Sequence, residues 1–227
     1  MENMFDYKTI DAVKRILKDY PYRIEDVLNS LSERQQISKD WLIEKLNVDG
    51  YHVISIDHRG HGNRIENNIK GYFSDINGWN MVVKDLLELV EGSKNKFPNL
   101  KQYVLAHSMG SWIALAAMQK GMDVDGLIIS GSSKPPKAIL LIQKLLVKVQ
   151  ILLFGKKSVS IFLDNITLGP YNKQFKPNRT LKDWISSNND NVDNYVEDPL
   201  CGFPVTNGLW DDLCLLYTSP SPRDLRE

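Results

Sequence analysis

The sequence lacks an excess of either charge. Among its 227 residues, 28 are Lys or Arg and 28 are Asp or Glu, so the formal net charge is zero. A protein that binds nucleic acid, or is held on an anionic membrane, through its overall electrostatic field needs a basic surplus. The sequence therefore predicts no nucleic-acid partner, and nothing in it indicates an obligate protein partner.

Cysteine is scarce, and the sequence contains only Cys201 and Cys214. They have no C-x-x-C spacing and no nearby pair of histidines, which argues against a zinc site and against a disulfide scaffold. Residues 1–18 are mixed and charged, without the basic start, apolar run and small-residue cleavage site of a secretory signal. We expect a cytoplasmic protein with no metal and no cofactor.

Long hydrophobic runs are also missing. The most apolar stretch, residues 138–154, is slightly short for a bilayer span and is interrupted by two glutamines and two lysines. We interpret it as an amphipathic helix.

Strand and helix patterns alternate along the middle of the chain. Residues 7–46 show helical periodicity, and residues 51–57 (YHVISID) read as a buried strand. The order that follows is a loop at 58–77, a helix at 79–96, a strand at 102–106, a helix at 109–120 and a strand at 126–130. Parallel strands joined by helices predict an α/β fold with a doubly wound, mostly parallel sheet. The apolar helix and a polar stretch at 172–194 then indicate a helical cap inserted over one end of the sheet.

One serine stands between a predicted strand and a predicted helix. In Ala106-His107-Ser108-Met109-Gly110, such a turn strains the central residue and exposes its hydroxyl at the carboxyl edge of the sheet. The residues at minus two and plus two are expected to be small because larger side chains would collide across the turn. The helix amide end, and the Met109 N–H in particular, would face a developing oxyanion. An isolated A-x-S-x-G is more often a helix N-cap, but the flanking strand and Ala-rich helix favour a nucleophile.

Two motifs carry a family resemblance. D-H-R-G-H-G at 57–62 and H-S-M-G-S at 107–111 resemble the monoacylglycerol lipase, lysophospholipase and serine-aminopeptidase-like branch of the α/β-hydrolases. The resemblance extends from about residue 50 to residue 213 and includes P-N-R-T at 177–180, D-W at 183–184 and D-P-L-C-G-F at 198–203. It implies that Ser108 is the nucleophile and that Met109 supplies one oxyanion N–H. It also implies a cap over an acyl pocket and a small lipid-like ester as substrate.

The histidines are expected to have structural roles. His107 adjoins the nucleophile, but neighbours on such a turn point in different directions, so we expect packing or hydrogen bonding rather than general-base catalysis. His58 and His61 lie in a Gly-rich loop that the resemblance assigns to support of the site rather than to metal binding. His52 is expected to be a core or edge residue of the first strand.

The acid and the base of a catalytic triad are not found in this chain. In this fold the chain order is serine, acid, histidine, whereas all four histidines precede Ser108. Asp211 and Asp212 are followed by no predicted strand. The last residues have no apolar period and resemble a translated sequencing adapter, so we expect a disordered tail and a C-terminally truncated chain. The N-terminus is atypical as well, because it has no H-G dipeptide to supply a second oxyanion donor.

The predicted organisation has four parts. These are a helical segment at 1–49, the hydrolase core at 50–133, a cap region at 134–213 and a tail at 214–227. The favoured function is that of a serine esterase, inactive as this chain. The alternatives are a non-catalytic acyl-binding or scaffold protein, and an aminopeptidase or acyltransferase of the same fold. The apolar helix at 138–154 would either receive an acyl chain or touch a membrane surface, or be buried by ordinary packing.

Overall fold

The computed structural model of the protein describes residues 46–47, 50–133 and 135–216. Its strands are β1 (Tyr103–His107) and β2 (Gly126–Ser130). Its longer helices are α1 (Gly78–Lys96), α2 (Met109–Gln119), α3 (Lys137–Phe154), α4 (Ile161–Thr167), α5 (Gly169–Lys173), α6 (Asn189–Glu197) and α7 (Asn207–Leu216). Single 3-10 turns occur at Gly62–Arg64 and Asp183–Ile185.

The described chain divides into two compact units. One contains residues 57–168 and 203–216, and the other contains the described residues up to 56 together with 169–202. Helices α3 and α4, which the sequence assigned to the cap, therefore belong to the same unit as the sheet. The boundaries of the four predicted parts stay a prediction.

The sheet confirms the predicted strand, helix, strand order. β1 and β2 are parallel and in register from Tyr103 opposite Gly126 to His107 opposite Ser130. Helix α2 connects them and packs on both strands. A parallel pair requires such a crossover, because the chain must return to the same end of the sheet before the second strand begins.

The predicted buried strand at residues 51–57 is wrong. In the part of the chain that the structure describes, these residues form no ladder with another strand, and Ile54 is 46 % exposed. The segment instead begins with a turn, in which Tyr51 N donates to Leu46 O at 3.0 Å. β-branched residues provide a local preference for extended backbone, but a strand also needs a partner for its hydrogen bonds. His52, which was expected to lie in the core or at the edge of this strand, is exposed.

The core lies where α1, α2, α3 and α7 meet. Helix α1 packs on α2 and on α7, and α7 packs on α3. The fully buried apolar side chains of this unit include Val82, Val83, Ile113, Ala117, Val147 and Leu163. Val82 and Val83 with Val90 follow the helical spacing predicted for α1, and the alanines of α2 let that helix approach closely.

Helix α7 extends past residue 214, where the disordered tail was predicted to begin. Helix α7 ends at Leu216, and Cys214 is buried in the core beside Trp210 and Leu213. Residues 210, 213 and 214 have the three- and four-residue spacing of one helix face, so Cys214 extends that face. The remaining predicted tail, 217–227, and the predicted helices before residue 46 lie outside the described residues.

The polar stretch lies in the second unit, which is the one that contains residues 169–202. Its side chains form hydrogen bonds with backbone groups. The Asp183 carboxylate accepts hydrogen bonds from Arg179 N at 2.6 Å and from Thr180 N at 3.0 Å. The buried Asn172 amide donates to Thr180 O at 2.8 Å and accepts from Trp184 N at 3.2 Å. These contacts explain the P-N-R-T and D-W residues of the resemblance as a folded turn.

Candidate active site

Ser108 occupies the turn between β1 and α2. Its φ of 50° and ψ of −122° lie in a region that residues with a side chain rarely adopt, and its side chain is exposed. The Ser108 N–H donates to the carbonyl oxygen of Ser130 at 2.9 Å, which joins the turn to the end of β2. The sequence predicted this strained, exposed geometry.

The N-cap interpretation fails on geometry. A capping serine accepts a hydrogen bond from a backbone N–H of the first helical turn. Ser108 stands at the N-cap position of α2, but its side chain makes no such bond. Its hydroxyl is therefore not engaged in capping the helix that it precedes.

The start of α2 is fixed through the carbonyl oxygen of Ser108. Ser111 donates to that oxygen twice, from its backbone N at 2.9 Å and from its side-chain Oγ at 2.6 Å. Among the described residues, the Met109 N–H meets no acceptor. This amide lies at the positive end of the helix, where a developing oxyanion is stabilised. Sequence reasoning missed Ser111, although its spacing of three from Ser108 is the signal of such a back-bond.

The predicted steric reason for Gly110 is wrong. Apart from the adjacent residues and the nearby backbone of α2 itself, a Cβ built at Gly110 has no atom within 4 Å in the described structure. The flanking Ala106 is buried at 7 % exposure and already carries a Cβ. The turn is tight at Ser108 itself, whereas the side of α2 at position 110 faces open space, so no clash demands a glycine there.

His107 makes the kind of contact that the sequence predicted. Its Nδ1 lies 3.4 Å from Ser130 Oγ, and its ring would be 2.7 Å from a Cβ built at Gly131. Gly131 has a φ of 60°, so glycine satisfies both the backbone and the space beside the imidazole. Desolvation lowers the pKa of His107, which favours its neutral form.

An ionic cluster holds the loop that follows Asp57. Arg59 donates to Asp85 from Nε and Nη2, both at 2.8 Å, and Arg64 Nη1 lies 2.7 Å from the same carboxylate. Burial raises the pKa of Asp85, but the hydrogen bonds from the two guanidinium groups outweigh this effect and lower it overall. No local pattern predicts this cluster, because Arg59 and Asp85 are 26 residues apart.

His58 and His61 are integrated into that loop. Burial lowers the pKa of His58 to about 4, and burial is also the main cause of the lowered pKa of His61. The His61 Nδ1–H donates to Arg59 O at 2.9 Å, and its ring stacks obliquely on Phe203. Both imidazoles are therefore neutral at pH 7. In the residues that the structure describes, no three metal-ligating side chains form a group.

Asp211 and Asp212 of α7 contact neighbouring helices. Asp211 pairs with Lys148 of α3 at 2.8 Å. Asp212 lies in α7 and is buried against the start of α1, where its carboxylate accepts the Trp79 N–H and would clash with a Cβ built at Gly78. Burial raises the pKa of Asp212 to about 6.

The structure brings Ala106, His107, Ser108, Met109 and Gly110 together in one turn, as consecutive residues must be. In the described part of the chain, Ser108 hydrogen-bonds with Ser130 and Ser111 and with no histidine. The turn presents the Ser108 hydroxyl beside the Met109 N–H, and neither group has a hydrogen-bond partner among the described residues.

Comparison with known proteins identifies relatives of this chain. A family model described as serine aminopeptidase, S33, matches residues 31–219. Human monoglyceride lipase is 28 % identical over 152 residues, which cover 65 % of this chain and 42 % of the lipase. The chain thus spans about two fifths of the length of this relative.

Two solved structures have a similar fold. The first is a highly thermostable carboxyl esterase from Bacillus coagulans in complex with glycerol, with a TM-score of 0.69 and 24 % identity over 81 % of this chain and 60 % of the esterase. The second, a lipase in its open form, has a TM-score of 0.66 and 23 % identity over 84 % of this chain and 63 % of the lipase. The predicted α/β-hydrolase fold is confirmed. The chain belongs to the serine aminopeptidase S33 family of the α/β-hydrolases.

Proposed function

We propose that the protein is a serine hydrolase that cleaves carboxylic esters of lipid-like molecules such as monoacylglycerols or lysophospholipids. The observation that carries the proposal is the backbone of Ser108, which is strained at φ 50° and exposes a hydroxyl that caps no helix. Such strain is costly and is typically retained where it positions a reacting group. The family, the human monoglyceride lipase and the esterase-like fold support the same conclusion.

In the proposed reaction, Ser108 Oγ attacks the ester carbonyl carbon and its proton passes to a general base. The tetrahedral oxygen takes up negative charge and is stabilised by the Met109 N–H at the amide end of α2. The alcohol leaves with a proton as the carbonyl reforms, and water then releases the acid from the acyl-enzyme. We assign the base to none of the four histidines, because all of them precede Ser108. We therefore propose that this chain alone turns over substrate poorly.

The experiment that tests the nucleophile uses a fluorophosphonate probe on the chain as it stands. Slow labelling is expected, because no base is assigned to activate the hydroxyl and the reaction depends on the exposed, strained Ser108 and on the Met109 amide. Labelling should be lost in Ser108→Ala but retained in Ser133→Ala, which changes an exposed serine beyond the end of β2. Absence of labelling in a folded sample, as judged by circular dichroism, would overturn the proposal in favour of a non-catalytic acyl-binding or scaffold protein.

The acyl acceptor is tested separately. Turnover is compared for monoacylglycerols, lysophospholipids, amino-acid anilides and acyl donors offered with an alcohol. Preference for the lipid esters is expected. Preference for the anilides would favour the aminopeptidase that the family description names, and transfer to the alcohol would favour an acyltransferase.

We also propose that helix α3 contacts a lipid surface or an acyl chain. Val147 faces the core and is completely buried. On the opposite side, an apolar stripe is exposed, formed by Leu141, Ile142, Leu145, Val149, Leu152 and Leu153. The neighbouring Ile161 and Phe162 of α4 are exposed as well. No helix in the described residues is long and apolar enough to cross a membrane, so the contact would be peripheral.

Matched leucine variants test this contact. Leu152 of the stripe is 84 % exposed and Leu181 of the second unit is 85 % exposed, so each can be changed to Gln with little loss of packing. Leu152→Gln should reduce sedimentation with phosphatidylcholine vesicles, whereas Leu181→Gln should not. Equal binding of all three proteins would overturn the proposal. A cytoplasmic location is a further part of it, supported by Cys201 and Cys214, which are free thiols.

A further inference from the structure

Ser111 lies in the first turn of α2 with its side chain completely buried. It donates two hydrogen bonds to one acceptor, the carbonyl oxygen of Ser108, from N at 2.9 Å and from Oγ at 2.6 Å. Because the Ser111 side chain is inaccessible, water cannot replace the second bond. That carbonyl is thus held more firmly than the single backbone bond of an ordinary helix start would hold it.

The carbonyl of Ser108 and the N–H of Met109 belong to the same peptide group. This group is planar and trans, so its C=O and N–H point in opposite directions and rotate together. Two donors from Ser111 on the oxygen therefore fix the direction of the Met109 N–H as well. Among the described residues that N–H meets no acceptor, and it points out of the start of the helix.

We propose that Ser111 is a positioning residue for the reaction at Ser108, because its hydroxyl sets the direction of the oxyanion-stabilising Met109 amide. The inference rests on the proposed hydrolase function. Oxyanion stabilisation depends on a donor that is already aimed before charge develops, and a small misalignment is costly. Without the hydroxyl, the peptide between Ser108 and Met109 retains one backbone bond and can tilt.

A purely structural role would also explain a buried serine that bonds back to the preceding turn. The two roles differ in what they affect. A structural role changes stability alone, whereas a positioning role changes the reactivity of Ser108 in protein that remains folded.

Three variants separate these roles. Ser111→Ala removes the hydroxyl and little volume. Ser111→Thr keeps it, since a helical threonine can bond the same carbonyl. Ser160→Ala is the matched control, because Ser160 is also buried and caps α4 by accepting from Leu163 N at 3.2 Å, without contact to Ser108.

The main measurement is the labelling kinetics with a fluorophosphonate ester, whose phosphoryl oxygen develops negative charge as the serine oxygen adds to phosphorus, before fluoride leaves. For Ser111→Ala we expect the maximal labelling rate to fall about tenfold, a fraction of the loss seen when an oxyanion donor is removed, with unchanged half-saturating probe concentration. Ser111→Thr should restore the rate, and Ser160→Ala should match the unchanged protein. Unfolding temperatures are measured alongside to show that all variants are folded.

A second readout does not depend on reactivity. The chain has six methionines, so selective ¹⁵N labelling gives a simple spectrum in which Met109→Leu identifies the Met109 amide. Its signal should shift in Ser111→Ala but not in Ser160→Ala. The comparison of Ser111→Ala with Ser160→Ala tests the positioning role even if the added methyl group of Ser111→Thr prevents folding.

The outcomes are distinguishable. If the unchanged protein is not labelled, or if Ser108→Ala is labelled equally, the proposed function fails. If labelling depends on Ser108 while Ser111→Ala reacts at the unchanged rate and keeps its Met109 signal, the positioning role is overturned and the proposed function stands.

Discussion

Arg59 donates two parallel hydrogen bonds to Asp85, from Nε to Oδ2 and from Nη2 to Oδ1, each 2.8 Å long. This two-point geometry is the strong form of an arginine–carboxylate pair. The Asp85 side chain is only 10 % exposed and also receives Arg64. The pair connects the D-H-R-G-H-G loop to helix α1.

Asp85→Asn should therefore destabilise the protein. The amide keeps the shape of the side chain but loses its charge, and it presents N–H groups to two cations, at a cost of about 2–3 kcal/mol. Urea denaturation measures the loss. The control is Glu88→Gln in the same helix, whose pair with Lys84 is exposed on both sides and should contribute no more than about 0.5 kcal/mol. Equal losses of stability in the two variants would show that the Asp85 cluster stabilises the protein no more than the exposed pair does.

Gly60 and Gly92 should respond oppositely to alanine. Gly60 has a φ of +71°, and a Cβ there would lie 2.4 Å from Tyr72 N, whereas Gly92 lies inside α1 with nothing within 4 Å. Gly60→Ala should cost at least about 2 kcal/mol through strain and the backbone clash. Gly92→Ala should gain about 0.5–1 kcal/mol from helix propensity. Thermal unfolding of the two variants checks both signs, and tolerance of alanine at position 60 would contradict the loop geometry.

The elements that the sequence predicted are those whose signal is local. Helices α1 and α3 follow from apolar periodicity, α2 from its alanine and other small residues, and strands β1 and β2 from short apolar runs. The turn at Ser108 follows from a strand running directly into a helix. A strand was wrongly predicted at 51–57, because β-rich composition cannot reveal whether a hydrogen-bonding partner is available.

The site was predicted only in part, for the same reason. Ser108 and Met109 are adjacent in sequence, so the turn determines their relation. The contact of Ser108 with Ser130 and the cluster of Arg59, Arg64 and Asp85 join distant segments, and they depend on packing that no local pattern encodes. The clash predicted at Gly110 does not occur, because the space around this residue is open and the sequence does not reveal that.

Asp212 and His58 should give opposing pH dependences of stability. Burial raises the pKa of Asp212 from 3.8 to about 6, so its contribution is favourable at low pH and is lost as the pH rises from about 4 to 6. Burial lowers the pKa of His58 from 6.5 to about 4, so its contribution is favourable at neutral pH and is lost as the pH falls from about 6.5 to 4. The two effects partly cancel in the unchanged protein.

Asp212→Asn exposes the Asp212 contribution. The asparagine oxygen can still accept the Trp79 N–H, but it never ionises. Relative to the unchanged protein, the variant should therefore gain about 3 kcal/mol of stability between pH 4 and pH 7, from a shift of about two pKa units. Urea denaturation at several pH values measures the difference. A stability difference that does not vary with pH would show that Asp212 does not titrate in this range.

Ser108→Gly and Ser108→Ala should separate the conformational cost of the turn from the chemistry of the hydroxyl. Both remove the Oγ, so both should abolish fluorophosphonate labelling. Only glycine, however, adopts a φ of 50° with a ψ of −122° without strain from a Cβ. Ser108→Gly should consequently be more stable than Ser108→Ala by about 1–3 kcal/mol, the range expected for a residue held in such a conformation. Glycine also lowers stability through its flexible unfolded state, so a measured advantage in urea denaturation would be a lower limit on the strain. If alanine proves as stable as glycine at this position, the backbone of the turn is relaxed, and the main support for a nucleophile at Ser108 disappears.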